Sequence, residues 1–300
     1  CIRPARGGTG PDKMISYEAA PGAKVFIRGS EVVREEYLDG SAVPVNSFNP
    51  PGSVSSSSND YVYIWKYTLT GAMFPDAYNP FALANVPGDW SWLDTSKVDM
   101  GPYFRRRGMV FVDGKPLEPV EQYRELVRPP MQRRRSGLPS RNRGGPIMQE
   151  IGGSANGKFW VDHTGTLINI RTPTEDTGKS IVEITTREQA FAPKIMGLGY
   201  IRVKGITFQH AGNGFPPPQH GLVSTSGGHH WIIEGNTIEW ASAMGLDIGG
   251  QYWAGQQVPL AGQSHIIRGN TIRYVGVEGL GGMGTQNTLI EDNLIEWVGW

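Results

Sequence analysis

Four short segments near the C-terminal end repeat one alternation of apolar and polar residues. They are Gly205-Ile206-Thr207-Phe208, Thr237-Ile238-Glu239-Trp240, Thr271-Ile272-Arg273-Tyr274 and Leu294-Ile295-Glu296-Trp297. The last three follow similar runs that end in Asn: Ile232 to Asn236, Ile266 to Asn270 and Leu289 to Asn293. The Asn positions are spaced 34 and then 23 residues apart. Gly221-Leu222, Gly245-Leu246 and Gly279-Leu280 form a third repeated piece. Self-similarity of this kind is the signature of a solenoid, in which each repeat buries its apolar face against the next.

Side chains on a strand alternate between faces. With Ile238 inside, Glu239 lies outside and Trp240 inside. Stacking rungs about 4.8 Å apart predicts three columns. The inner ones are Ile206, Ile238, Ile272, Ile295 and Phe208, Trp240, Tyr274, Trp297. The outer one is Thr207, Glu239, Arg273, Glu296, with charges alternating between rungs. Opposite charges on neighbouring strands stabilise by roughly 0.2–1 kcal/mol per pair. The Asn residues are expected to hydrogen-bond from rung to rung. Met14 to Ala19 and Lys24 to Gly29, either side of a Pro21-Gly22 turn, read as an early rung of the same stack.

Residues 31–190 do not keep the repeat. Alternating strands are predicted at Tyr61 to Trp65, Met109 to Val112, Lys158 to Asp162, Thr166 to Ile170 and Ser180 to Ile184. Asp113-Gly114 and His163-Thr164-Gly165 mark turns. Ser53 to Asp60 reads as a loop, and Val120 to Leu126 hints at a helix. The predicted fold class is all-β: a right-handed parallel β-helix interrupted by an antiparallel β-sandwich insertion. The divisions are 1–30, an N-terminal rung; 31–190, the inserted sandwich; and 191–300, the remaining rungs.

Composition agrees with many turns: Gly 41 and Pro 22 in 300 residues. Lys+Arg and Asp+Glu are 28 each, so no field of one sign draws in nucleic acid. A single cysteine, Cys1, excludes an intrachain disulfide. No apolar run is long enough to span a membrane as a helix. The chain opens without Met and stops within a patterned strand, so both ends are read as interior to a longer protein.

Candidate chemistry lies where outward side chains gather. In the Gly-Leu register Leu222, Leu246 and Leu280 point inward, Val223, Asp247 and Gly281 outward, and His220, Met244 and Glu278 precede each Gly. Asp247 is then one rung from both His220 and Glu278. The offset along the strand is three residues, about 10 Å. Side chains bring this near the carboxyl separation of inverting glycosidases, about 6.5–9.5 Å. Asp247, Glu278 and His220 are the candidate catalytic residues. The alternative is that Asp247 caps a turn and Glu278 is solvated.

Tyr252 and Trp253 lie in an excursion that lengthens one rung, where binding walls are built, and are candidate substrate-binding residues with His229. His229 and His230 are adjacent, so on a strand they face opposite sides and share no metal. No spacing matches a zinc or EF-hand site, and neither metal nor cofactor is expected. His210 and His265 read as packed or turn histidines, and the aromatic column as core. The arginine-rich run from Arg128 to Arg143 reads as a solvated loop, with contact to an acidic polysaccharide as the sharper alternative.

Gly8 to Gly22 (GTGPDKMISYEAAPG) resembles the opening rung of bacterial β-helix glycoside hydrolases, the β-xylosidase group of glycoside hydrolase family 120 and relatives such as family 141. Tyr78 to Leu83, Val112 to Leu117, Gly199 to Phe208 and Trp231 to Asn236 carry the resemblance further. It implies a pectate-lyase-like solenoid interrupted by a β-sandwich. It also implies a secreted or periplasmic hydrolase acting on plant or algal polysaccharide or oligosaccharide. In that group the catalytic carboxylates sit on later rungs, which would lie beyond Trp300, so no position here inherits them. The rival readings are a polysaccharide lyase on the same scaffold and a non-catalytic carbohydrate-binding solenoid.

Overall fold

The computed structural model describes residues 1–33, 38–39, 64–83, 85, 106–127, 157–172, 180–214, 220–249, 264–282 and 284–299. The chain divides into two compact units. One comprises Cys1–Glu31, Phe74–Gly108 and Thr185–Trp300; the other comprises Val32–Met73 and Met109–Ile184.

The first unit is built on parallel sheets. One sheet runs Ile15–Glu18, Ile201–Lys204, Ile232–Glu234, Ile266–Arg268, Leu289–Glu291. A second runs Val25–Arg28, Ile206–Ala211, Thr237–Ala241, Thr271–Val275, Leu294–Val298. A third holds Val223–Ser224, Met244–Asp247 and Glu278–Gly281. The chain visits the sheets in turn and returns one strand further along each, an arrangement consistent with a β-helix. The two N-terminal strands pair in parallel with Ile201–Lys204 and Ile206–Ala211, far along the chain.

The corners explain why the pattern repeats. Gly205, Gly235, Gly269 and Asp292 each take a positive φ, from 54° to 69°, between a strand of the first sheet and one of the second. Glycine adopts this conformation without a Cβ clash. Asn236, Asn270 and Asn293 follow the last three of these and close their corners. Asn236 Nδ2 donates to Asn270 Oδ1 at 3.0 Å, and Asn270 Nδ2 to Asn293 Oδ1 at 2.9 Å. The same oxygens accept from the backbone N–H of Asn236 and Asn270, so the expected ladder is present.

The register corrects the predicted columns. Phe208, not Ile206, aligns with Ile238, and the inner column is Ile27, Phe208, Ile238, Ile272, Ile295. Gln209 rather than Thr207 therefore stands in the charged column, between Arg28 and Glu239. Glu239 accepts from Gln209 and pairs with Arg273 Nε at 2.8 Å, and Arg273 reaches Glu296 at 4.0 Å. A second alternating column, Glu18, Lys204, Glu234, Arg268, Glu291, runs along the first sheet.

The aromatic column is corrected as well. His210, Trp240, Tyr274 and Trp297 have φ between 54° and 66°. A left-handed residue breaks the alternation, so Glu239 and Trp240 both turn away from the central apolar cluster, though both stay buried, and Ala241 returns to it. The core cluster accordingly holds Ala211, Ala241 and Val275, not the rings. Trp240 and Tyr274 instead stack on each other, centroids 4.5 Å apart and 16° from parallel. Their faces are spent on one another, with Arg273 5.3 Å from the Tyr274 ring.

The second unit has a sheet ordered Leu38–Asp39, Ile64–Thr68, Leu167–Arg171, Lys158–Val161, Glu118–Pro119, antiparallel except for its last pair. Val110–Val112 forms a hairpin with Lys115–Pro116 and pairs antiparallel with Val182–Thr185. Asp113 and Gly114, both at positive φ, make the hairpin turn. The expected helix is one turn, Arg124–Val127. The predicted loop at Ser53 to Asp60 and the arginine run from Arg128 to Arg143 fall outside the described residues.

Candidate active site

The third sheet positions Asp247. Val223 pairs with Leu246 and Ser224 with Asp247, one residue out of the Gly-Leu register expected from sequence. Leu222 N–H donates to Met244 O, and Leu222 and Val223 are both fully buried, so strict alternation fails here. At Gly221 a Cβ would stand 2.6 Å from Asp247 N, a close approach that only glycine permits. Ser224, unassigned in the sequence reading, therefore sits beside Asp247. Its Oγ donates to Asp247 Oδ2 at 2.8 Å. The other oxygen accepts from Gly249 N–H at 3.0 Å, which is the turn-capping contact.

On the next strand Asp247 pairs with Gly281, and Met244 with Glu278. Glu278 is thus three residues from Asp247 in register, as the sequence suggested. Its carboxyl folds back along the strand: a Cβ at Gly281 would lie 2.9 Å from Glu278 Oε1. The absence of a side chain at Gly281 lets Glu278 approach the residue opposite Asp247. Burial pushes the Asp247 carboxyl up to about 6. The Gly249 N–H, the Ser224 hydroxyl and His220 oppose that rise, and Glu278 adds to it. Burial also raises Glu278 above the ordinary carboxylate range. A carboxyl raised toward neutrality beside a second carboxyl is the equipment of acid–base catalysis.

His220 approaches from the other side. Its backbone is held by Asn213, whose Nδ2 donates to His220 O at 2.7 Å and to Met244 O at 2.6 Å. Its Nδ1 lies 3.2 Å from Glu188 Oε2. Glu188 Oε1 is 3.9 Å from Arg107 Nη1. The same Arg107 nitrogen donates to the Tyr78 hydroxyl at 3.2 Å, and that hydroxyl donates to Gly212 O. Arg107 lies over Gly214, in the space a Cβ there would fill. Burial, reinforced by Glu188, raises Tyr78 to about 12, so it stays a neutral donor.

Glu188, Arg107 and Tyr78 escaped the sequence reading because none lies in the repeat. The usable signal was the Gly212-Asn213-Gly214 run, whose glycines admit close neighbours.

The remaining candidates are not brought to this cluster among the described residues. His229 sits at the corner leading into the first sheet, with its ring over Gly199 and Tyr200 at 5.3 Å. His230 does not face away from it, contrary to expectation. The left-handed φ of 53° at His230 breaks strand alternation, and the two Nδ1 atoms lie 2.9 Å apart. Burial and then His230 lower the His229 pKa. His210 and His265 are both buried, at 1% exposure each. Tyr252 and Trp253 lie outside the described residues.

No protein-family model and no curated protein matches the chain. Among solved structures it is similar to that of XylC in complex with xylose, at 24% sequence identity and a TM-score of 0.70. The alignment covers 99% of this chain and 46% of that one, so this chain spans about half the length of its structural relative. At that identity the likeness establishes a shared fold.

Proposed function

We propose that this chain is part of a carbohydrate-active enzyme, a glycoside hydrolase of plant or algal polysaccharide or oligosaccharide that works outside the cytoplasm, secreted or periplasmic. Its architecture in this reading is a right-handed parallel β-helix interrupted by an antiparallel β-sandwich. The carrying observation is the Asp247 carboxyl, buried and raised to about 6, facing a strand from which Glu278 folds toward it. The fold shared with XylC, whose structure contains xylose, supports the same class. One carboxyl, protonated, donates to the leaving glycosidic oxygen; the other, ionised, activates water or attacks the anomeric carbon. The more deeply buried Asp247 is assigned as acid and Glu278 as base or nucleophile. His229 joins the substrate-binding residues in this reading, with Tyr252 and Trp253.

One observation favours a second reading. Both Asp247 oxygens are engaged, by Gly249 N–H and Ser224 Oγ, as in a plain turn cap. In that case the chain is a carbohydrate-binding solenoid that hydrolyses nothing through this pair. A panel of aryl glycosides assayed with the parent, Asp247→Asn and Glu278→Gln separates the two. The hydrolase reading expects turnover of at least one glycoside and a loss of 100-fold or more in kcat for each variant, in line with the usual worth of a general acid or base. Turnover unaffected by either substitution would remove the pair from the chemistry. Unsaturated sugar products, absorbing in the ultraviolet and released from a polysaccharide without an aryl group, would replace hydrolysis with a lyase reaction.

A further inference from the structure

Away from Asp247, the corner leading into the first sheet gathers two imidazoles at one point. On a regular strand His229 and His230 would face opposite sides and could share nothing. The left-handed φ of 53° at His230 removes that obstacle, and the two Nδ1 atoms lie 2.9 Å apart. The imidazole planes cross at 88° with centroids 5.1 Å apart, so the rings meet through these nitrogens and not face to face. Neighbouring groups hold both rings in place. Gly199 gives the His229 ring its seat: a Cβ there would stand 2.0 Å from Cε1 and 2.5 Å from Nδ1. Tyr200 meets the His229 ring edge-on at 5.3 Å and stacks on the His230 ring at 4.9 Å, 25° from parallel. His230 is exposed, so water and small ions reach the pair.

A hydrogen bond between the two Nδ1 atoms uses one proton and one lone pair. Moving that proton to Nε2 of its own ring leaves a lone pair on each Nδ1, with no change in net charge. Neutral imidazole is the commonest metal ligand among side chains. At metal–nitrogen distances of about 2.0–2.1 Å, ligands at a right angle lie about 2.9 Å apart and ligands at a tetrahedral angle about 3.3–3.4 Å apart. The observed spacing matches the right angle. Square-planar or tetragonal nitrogen sites suit Cu(II) and Ni(II), and Cu(II) binds the more tightly. We infer that His229 and His230 form a bidentate site for Cu(II), bound through both Nδ1 atoms. Among the described residues no group of three histidine, cysteine or carboxylate side chains forms a metal site, so water completes the coordination. Burial and then His230 lower the His229 pKa, which keeps that ring in the ligand form at neutral pH. His265 lies one strand further on, its Nδ1 accepting from Trp231 N–H at 3.1 Å. Burial, with His229 and His230 adding to it, holds His265 at about 4, so at neutral pH it places no charge near the ion. The site does not rest on the acid–base reading of Asp247.

The test is titration of the full chain with Cu(II) at neutral pH, in a Cys1→Ser background because the Cys1 thiol is exposed and thiolates bind copper. The expected result is saturable binding by calorimetry and a tetragonal electron paramagnetic resonance spectrum coupled to the nitrogens of two imidazoles. His229→Gln and His230→Gln should each remove one of those couplings. Gly199→Ala fills the seat of the His229 ring without touching a ligand. It should weaken binding about 10–100-fold, the usual worth of a group that orients a metal ligand. His230 is exposed, so His230→Gln decides the matter even where another variant fails to fold. No binding by the parent, or a spectrum that neither histidine substitution alters, overturns the inference. Zn(II) held as tightly as Cu(II) overturns the assignment to copper. Because the readout is not turnover, failure of the glycoside assay would remove the hydrolase reading and leave the copper site to stand or fall by itself.

Discussion

Asp247 and His265 carry opposite pH signatures within one folding unit. The native Asp247 carboxyl titrates near 6, above its ordinary value of 3.8, so the folded state binds that proton more tightly than the unfolded chain. Its contribution is complete below pH 3.8 and is lost as pH rises through 6, a change of about 3 kcal/mol. His265 behaves in reverse. Burial, aided by His229 and His230, lowers it from 6.5 to about 4, so its contribution is present above 6.5 and is lost as pH falls through 4. That change is also about 3 kcal/mol. Burial depresses His210 further, to about 3, with the same sign. Between pH 4 and 6 the aspartate slope offsets one of the two histidine slopes, so the parent is expected to lose stability on acidification with the slope of one group. Asp247→Asn removes one side of the balance. Urea midpoints of that variant should fall about twice as steeply from pH 6 to 4 as those of the parent. Parallel profiles would contradict the raised aspartate.

At the scale of single elements, the corner asparagines hold the strands in register. Asn270 accepts from Asn236 Nδ2 and from Asn236 N–H, and donates to Asn293 Oδ1 and Ile233 O. Replacing it with Ala leaves buried backbone groups without partners on two levels at once. The expected cost is about 2–4 kcal/mol, since each unsatisfied buried group costs about 1–3 kcal/mol. Asn293→Ala should cost less, because Asn293 is the more exposed of the two. Chemical denaturation of both variants checks the order, and equal effects would mean that burial does not set the strength of the ladder. The surface charge columns are a weaker device: Arg273 and Glu239 meet at 2.8 Å, but an exposed arginine is screened by water and salt.

On the scale of the whole molecule, the last described strands of two sheets carry apolar side chains that the other described residues do not cover. Leu289, Ile290, Leu294, Ile295 and Val298 are between 38% and 52% exposed. Their counterparts one strand earlier, Ile267 and Ile272, are fully buried. A paired row of open backbone groups with apolar side chains is a template for association. Light scattering of this chain at tens of micromolar should therefore show concentration-dependent growth, and a combined Ile290→Lys, Ile295→Lys variant should suppress it. A monodisperse parent at that concentration would show the edge to be harmless. Among the described residues no helix is long and apolar enough to cross a membrane.

What the sequence determined by itself was local and periodic. The strands of the first and second sheets, the Asn ladder, the charge alternation from Glu239 to Glu296 and the three-residue offset of Asp247 and Glu278 follow from period-two alternation and from repeats that align with one another. Tertiary structure decided the rest. The positive φ at Trp240, Tyr274 and Trp297 turned those rings away from the central cluster, where Phe208 alone of the predicted column remains, because one left-handed residue reverses the parity of every position after it. The one-residue slip that set Ser224 beside Asp247 came from the close approach at Gly221, a contact between rungs that neither strand specifies alone. Glu188, Arg107 and Tyr78 met His220 only through long-range packing of segments outside the repeat. A repeat fixes what lies within a rung, whereas the conformation of each corner decides which side chain of one rung lies over which side chain of the next.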